Sequence, residues 1–151
     1  MARFDGVHFV VFDSRNTPGL KNSTITALFE DRDRNLWIGT LGGLFRMTRG
    51  VIAAYPVSEG FSGRCVTAFY QDGEGALWVA TDGGGVGRLL HGLFTVYTAR
   101  NGLARDAVFS VSGGRDGSVW FGSHGGLNLW KNGQFTAPVS YTHLDVYKRQ
   151  L

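Results

Sequence analysis

This sequence predicts an all-β fold built from a repeated four-stranded unit, on three observations. The first is composition. Glycine fills 23 of 151 positions and proline only 3, while aromatic residues reach 13%. That balance suits many short strands joined by tight turns. The second is a repeated motif. Leu36-Trp37-Ile38-Gly39-Thr40 returns as Leu77-Trp78-Val79-Ala80-Thr81 and as Val119-Trp120-Phe121-Gly122-Ser123, at intervals of 41 and 42 residues. The third is that flanking positions keep the same period. Glycine pairs follow (Gly42-Gly43, Gly83-Gly84, Gly125-Gly126), Gly19-Leu20, Gly60-Phe61 and Gly102-Leu103 precede, and Ile25, Val66 and Val108 recur in step.

Each element follows from local chemistry. A leading outer strand is expected over about residues 7–12, because Phe9 and Phe12 share the spacing of Ile52 and Tyr55 and of Phe94 and Tyr97. The first strand of each unit is apolar and β-branched: Ile25–Glu30, Val66–Gln71 and Val108–Gly113. Turns rich in Asp, Asn and Gly follow, around Asp31-Arg32-Asp33, Asp72-Gly73-Glu74 and Arg115-Asp116-Gly117; these residues bond their own backbone and tolerate positive φ. The second strand is centred on Trp37, Trp78 or Trp120, and the glycine pair makes the next turn. The third strand covers Leu44–Met47, Val86–Leu90 or Leu127–Trp130. Arg49-Gly50, His91-Gly92 and Asn132-Gly133 turn into a fourth strand that ends at Tyr55 or Tyr97, and Phe135 begins a further copy.

Four strands in roughly 40 residues, repeated, is the signature of a β-propeller blade. The expected fold is a propeller fragment over residues 1–138, with three four-stranded antiparallel blades at about 23–56, 64–98 and 106–138. Propellers close with roughly 4 to 8 blades, so three imply an open ring. The recurrent Trp and Phe side chains are expected to fill the cores between blades.

Several function classes lose support at once. The formal charge is +3, and no basic run exceeds Lys148-Arg149, so no nucleic-acid footprint is visible. Cys65 is alone and forms no intrachain disulfide. No apolar run approaches the roughly 18 residues of a membrane span. Asp5 stands where a signal peptide carries its basic region, so no export signal is read.

At the residues just quoted, the units resemble the two-component regulator propeller repeat. Its pattern is an apolar strand, Glu-Asp, a turn, Leu-Trp-Ile-Gly-Thr, one free residue and Gly-Gly-Leu, then Phe-x-x-Tyr. The first unit matches from Ile25 through Glu30-Asp31 to Arg46. The second departs at Gly85, where Leu is expected, and the third at Gly113-Gly114, where Glu-Asp is expected. The resemblance covers about residues 3–137. It implies the sensor region of a bacterial two-component or cyclic-dinucleotide receptor, periplasmic or extracytoplasmic, without catalysis of its own. It further implies a small-molecule or oligosaccharide ligand, the remaining blades of the same propeller as partners, and a receptor dimer in the parent. A propeller lyase and a protein-interaction scaffold are the alternatives.

Residues 139–151 break the pattern, and Pro138 stands where an aromatic is expected. Val139–Leu144 resembles a translated transposon mosaic-end adapter, so residues 139–151 are read as a non-native tail. Tyr141 and His143 then carry no functional expectation.

Catalytic and metal spacings are scarce. His8, His91, His124 and His143 share no ligand spacing. Cys65 has no sequence-evident base. Gly83-Gly84-Gly85-Val86-Gly87 follows a strand but precedes no helix, so it reads as a turn and not a phosphate loop. The Asp31/Asp33, Asp72/Glu74 and Asp116 turns lack the distal bidentate Glu of a calcium loop and read as turn caps. No catalytic, cofactor or metal residue is assigned.

Topology offers the better candidate. In an antiparallel blade, the loop leading into the first strand and the turn between the second and third lie at one end. The former carries Lys21-Asn22-Ser23, Ser62-Gly63-Arg64 and Ala104-Arg105-Asp106; the latter carries Leu41, Asp82 and His124. Arg64, Asp82, Arg105, Asp106 and His124 are therefore the expected ligand rim, because loops on a repeated frame are where binding residues sit.

Overall fold

A computed structural model describes residues 1–21, 24–57, 61 and 65–136. Three antiparallel four-stranded sheets succeed one another. The first contains β3 (Ile25–Glu30), β4 (Leu36–Thr40), β5 (Leu44–Thr48) and β6 (Val51–Ala54). The second contains β7 (Val66–Gln71), β8 (Leu77–Thr81), β9 (Val86–Leu90) and β10 (Leu93–Tyr97). The third contains β11 (Val108–Gly113), β12 (Val119–Ser123), β13 (Gly126–Lys131) and β14 (Gln134–Phe135). Within each sheet the spatial order is the chain order. The first strands β3, β7 and β11 are neighbours from sheet to sheet. The sheets are thus blades of an open propeller, with the first strands innermost. The expected adapter-like tail lies outside the described residues.

The leading segment departs from expectation. In place of a single outer strand over residues 7–12, β2 (Phe9–Val11) pairs with β1 (Ala2–Phe4) as a hairpin. The Asp5 carboxylate folds the turn by accepting the backbone N–H groups of Val7 and His8 at 2.9 and 2.8 Å. Gly6 supplies the positive φ of 101°. One side of the hairpin, through Met1 and Phe12, packs on the first blade at Leu20, Ile38, Phe45 and Ile52. Phe9 is 73% exposed and is no part of a core here.

Two blade-to-blade cores hold the arc. Trp37, Leu44 and Phe29 of the first blade meet Val66, Leu77, Val79, Phe69 and Phe94 of the second. Trp78, Val86 and Tyr97 of the second meet Val108, Val119, Phe121, Trp130 and Phe135 of the third. Each blade offers its tryptophan forward. Arg46 stacks over Trp37 at 5.6 Å and Arg88 over Trp78 at 5.4 Å, which adds a cation–π attraction to the burial. Gly39 is tight against the next blade: a Cβ there would come within 2.6 Å of Val66 Cγ1.

One aspartate clasps each of the first two blades. The Asp31 carboxylate accepts from the backbone N–H groups of Asp33 and Asn35, both at 2.9 Å, and from Trp37 Nε1 at 2.8 Å. Asp72 repeats this with Glu74, Ala76 and Trp78 Nε1, at 2.9, 3.0 and 2.9 Å. The residue that caps the turn also satisfies the buried indole N–H, which would otherwise be an orphan donor. Burial works to raise the Asp31 carboxyl, but bonds from Trp37, Asn35 and Asp33 outweigh it and hold it below the usual carboxylate range.

The third blade lacks the clasp. Gly114 takes the aspartate's place, and a Cβ on it would overlap Ser118 Oγ. Asp116 caps this turn through the Ser118 N–H and hydroxyl, and pairs with Lys131 at 2.9 Å. Trp120, expected to be buried with its counterparts, is only half-buried. The reason is positional: Trp37 and Trp78 are 2% and 0% exposed because a following blade covers them, and no blade follows the third among the described residues.

The second blade corrects another expectation. Thr40 N–H donates to Gly43 O, whereas Thr81 N–H donates to Gly85 O. Leu44 and Val86 then open the third strands. Gly85 is therefore an extra turn residue and not a replacement for Leu, which accounts for the longer second repeat interval. Its φ is 80°, and Tyr97 O occupies the space a Cβ would need, so the position admits only glycine.

These contrasts set measurable outcomes. Trp78→Ala costs about 3–5 kcal/mol, as for large core aromatics, whereas Trp120→Ala costs roughly less than half of that; urea unfolding of the two variants checks the ranking. Asp31 contributes stability that is fully present above its ordinary value of 3.8 and is lost as pH falls through its lower folded value. Asp31→Asn keeps a capping oxygen but loses the charge, so its stability falls less steeply below about pH 4 than that of the unaltered chain. Parallel acid-unfolding curves for the two would refute this role.

Candidate functional site

The rim is built by a hydroxyl that closes each turn on itself. Thr40 Oγ1 donates to Gly43 O and accepts from Gly42 N–H, both at 3.0 Å. Thr81 Oγ1 does the same with Gly85 O and Gly84 N–H, at 2.9 and 3.0 Å. Ser123 repeats it with Gly126 O and Gly125 N–H, both at 3.2 Å. With the turn satisfied internally, the free residue after each Thr or Ser faces outward, and Leu41, Asp82 and His124 are all exposed.

Backbone bonds tie each turn to the lead-in loops around it. Leu41 N–H donates to Thr24 O at 3.3 Å, and Cys65 N–H donates to Leu41 O at 3.2 Å. Asp82 N–H donates to Cys65 O at 3.0 Å, and Asp82 forms an isolated bridge with Ala107. The longer turn of the second blade adds two more bonds: Gly83 and Gly85 N–H donate to Asp106 O at 3.2 and 2.8 Å. Blade-to-blade stitching at this end is therefore continuous from Thr24 to Ala107.

The expected rim residues divide into two kinds. Asp82, Arg105 and His124 are exposed and lie at one end of the second and third blades. Arg105 lies across the turn bearing His124, since a Cβ on Gly125 would meet Arg105 Cγ at 2.8 Å. Asp106 belongs to the frame: its carboxylate accepts the Ala99 N–H at 2.6 Å while its carbonyl holds the neighbouring turn. Arg64 lies outside the described residues.

Phe109 joins this group and is not among the residues the repeat pattern points to. It occupies a bulge between Val108 and Ser110 that recurs at Thr26 and Thr67 in the other blades. A bulged residue has no partner on the adjoining strand and is re-aimed. Thr67 uses this to bond Val108 O of the next blade. Phe109 is 40% exposed, and its ring stands edge-on to His124 at 4.7 Å. The usable signal is that Thr, Thr and Phe differ at one repeat position, the same signal that picks out His124. Behind this end, Asn128 is buried and ties the lead-in loop, donating to Gly102 O and accepting the Ala104 N–H at 3.1 and 2.8 Å.

The rim thus presents an aromatic pair, a guanidinium and a carboxylate on a hydrogen-bonded frame. Among the described residues no three His, Cys, Asp or Glu side chains converge as metal ligands, and no helix is long and apolar enough to cross a membrane. Cys65 is half-buried with a φ of 50°, held there by the rim bonds of its own N–H and carbonyl.

Comparison with known proteins agrees with the blade architecture. The extracellular domain of BT4673 from B. thetaiotaomicron, described as part of a putative hybrid two component system, aligns with a TM-score of 0.67 at 20% identity. That alignment covers 78% of this chain and 18% of the other. The extracellular domain of BT3049, from the same organism, aligns with a TM-score of 0.67 at 18% identity over 89% of this chain and 18% of that one. A catalytically inactive virginiamycin B lyase from Staphylococcus aureus aligns with a TM-score of 0.67 at 18% identity, over 93% of this chain and 48% of the lyase. These likenesses establish the propeller fold, and this chain spans less than a fifth of the two extracellular domains. A search of the curated proteins gives no match. The family model of the two component regulator propeller matches residues 19–42 and residues 60–83. Both segments begin at a Gly-Leu or Gly-Phe pair and continue through the Trp strand to the rim turn, so this chain is an open propeller arc carrying the two component regulator propeller repeat.

Proposed function

We propose that this chain is part of the ligand-sensing propeller of a bacterial signalling receptor, working outside the cytoplasm by binding and not by catalysis. The observation that carries the reading is the pairing of a sensor-type repeat with a rim whose outward residues differ while the frame beneath them repeats. Leu41, Asp82 and His124 share one position and one hydroxyl-closed turn, yet offer an alkyl group, a carboxylate and an imidazole. A frame of this kind allows ligand chemistry to change without cost to the cores between blades. The two extracellular domains from hybrid two component systems share the fold and support the placement. The lyase shares that fold as well, but the matched repeat favours sensing.

The ligand is a small molecule or oligosaccharide that meets Asp82, Arg105 and His124, with Phe109 beside His124. Asp106 acts from behind, by holding the turn that carries Asp82. A ligand bound only to the folded state raises stability by RT ln(1 + [L]/Kd), which is about 2.7 kcal/mol at 100 Kd. A thermal-shift screen of mono- and oligosaccharides and small organic acids is expected to find a stabilising compound. The combined variant Asp82→Ala, Arg105→Ala, His124→Ala is expected to bind it at least about tenfold more weakly, at 1.4 kcal/mol per decade, with its ligand-free melting temperature nearly unchanged. A hit that stabilises the variant equally places the ligand elsewhere.

A further inference from the structure

We propose that the groove between the first and second blades, at the end opposite the rim, binds a free α-amino acid. Arg46 takes its carboxylate and Asp33 its ammonium group.

Both inner boundaries open into a groove at this end. In each, the turn after the first strand of one blade faces the same turn of the next. In each, an arginine of the third strand lies over aromatic rings. Arg46 stands 5.6 Å from Trp37 and 5.2 Å from Tyr55, and Arg88 stands 5.4 Å from Trp78 and 5.9 Å from Trp130. The two arginines hold one repeat position, because Arg46 is the ladder partner of Trp37 as Arg88 is of Trp78. Asp33 and Glu74 also hold one position. Asp33 N–H donates to the clasping Asp31 as Glu74 N–H donates to Asp72, both at 2.9 Å.

The grooves differ in the state of their charges. In the second, Arg88 pairs with Glu74 at 2.7 Å and Lys131 with Asp116 at 2.9 Å. In the first, Asp33 is one methylene shorter than Glu74. Among the described residues the Arg46 guanidinium makes no ion pair or hydrogen bond, and the exposed Asp33 carboxylate makes none either. The other two acids of the groove are already engaged, Asp31 by Trp37 Nε1 and backbone donors and Glu74 by Arg88. A guanidinium and a carboxylate therefore line one groove of about 410 Å³ without meeting.

A ligand with a single charge satisfies one of these groups and faces like charge at the other. A zwitterion satisfies both. The planar guanidinium fork takes a carboxylate through two parallel bonds, and its stacking on Trp37 and Tyr55 orients it beforehand. Tyr55, Leu89 and Leu90 line the same groove half-buried and give the ligand's side chain an apolar wall, which favours an apolar or aromatic amino acid. Gln71 fixes the spacing of the two turns, accepting from Arg32 N–H at 3.0 Å and donating to Gly75 O at 3.2 Å.

Isothermal titration of the full 151-residue chain with L-phenylalanine tests this. Binding is expected with a Kd of about 1 mM or tighter. Hydrocinnamate lacks the ammonium group and phenethylamine lacks the carboxylate; each is expected to bind at least about tenfold more weakly, as loss of one charge-assisted bond requires. Asp33→Glu keeps the charge but supplies the missing methylene, so that Arg46 is paired as Arg88 is. This variant, at an exposed position, is expected to lose at least about tenfold in affinity for L-phenylalanine. Arg46→Lys keeps the charge without the fork and is expected to weaken binding in the same direction. The combined rim variant Asp82→Ala, Arg105→Ala, His124→Ala is expected to bind L-phenylalanine like the unaltered chain. Absence of binding up to about 10 mM, or equal binding of all three compounds, overturns the proposal. So does an affinity that survives Asp33→Glu, or one that is lost in the rim variant.

Discussion

The indole of the second-strand tryptophan is the group on which the blades depend. It needs two things at once: a partner for its N–H and a second sheet over its ring. Asp72 supplies the first for Trp78 from its own turn, 2.9 Å away, and the third blade supplies the second through Phe121 and Trp130, each about 5.1 Å from it. The first requirement is met within one blade; the second is met only by a neighbour. Blade order follows from that requirement, because each inner boundary buries the forward face of one sheet against the backward face of the next. Trp120 shows the consequence. It keeps its strand register, yet it has neither the aspartate clasp nor the cover, and it is only partly buried.

The frame and the rim answer to different forces. The frame is apolar area removed from water, reinforced where Arg46 and Arg88 lie over the tryptophans. The rim is a lattice of short backbone bonds closed by Thr40, Thr81 and Ser123. Because each of these hydroxyls consumes the turn's own donor and acceptor, the side chain of the residue that follows it is left without a structural task. Exposure at Leu41, Asp82 and His124 is a result of that closure. The extra residue Gly85 changes the lattice without disturbing the frame: it lengthens the turn and adds bonds to Asp106 O, while Val86 re-enters the ladder in step.

Much of this architecture is legible in the residues themselves. The bounds of β3, β7 and β11 follow from apolar and β-branched runs that stop at Asp or Gly, and the observed strands begin and end on the expected residues. What the residues alone do not show is whatever depends on a neighbour or on turn geometry. Ala2–Phe4 is too short to read as a strand, and it becomes one only because Asp5 folds the chain back on Phe9. Trp120 carries the same motif as Trp78, and its exposure is decided by a blade that the motif does not encode. Phe109 sits in a run that reads as ordinary alternation, yet a one-residue bulge turns its ring toward His124. Within the rim set, the repeat separates variable from constant positions. It does not separate Asp106, whose carboxylate serves the frame by capping Ala99, from Asp82, whose carboxylate faces water.

Blade cores are local, since each of the three apolar clusters spans no more than two adjacent sheets. Loss of a terminal neighbour therefore exposes one face and leaves the next boundary intact, as expected for a one-dimensional array. The backward end is shielded in part, because the hairpin lays Met1 and Phe12 over the first blade. That shield moves the problem outward by half a blade, onto Phe4 and Phe9. The apolar surfaces left uncovered among the described residues, Phe4 and Phe9 on the hairpin and Trp120 on the third blade, stand at positions that an adjoining blade covers elsewhere in the arc.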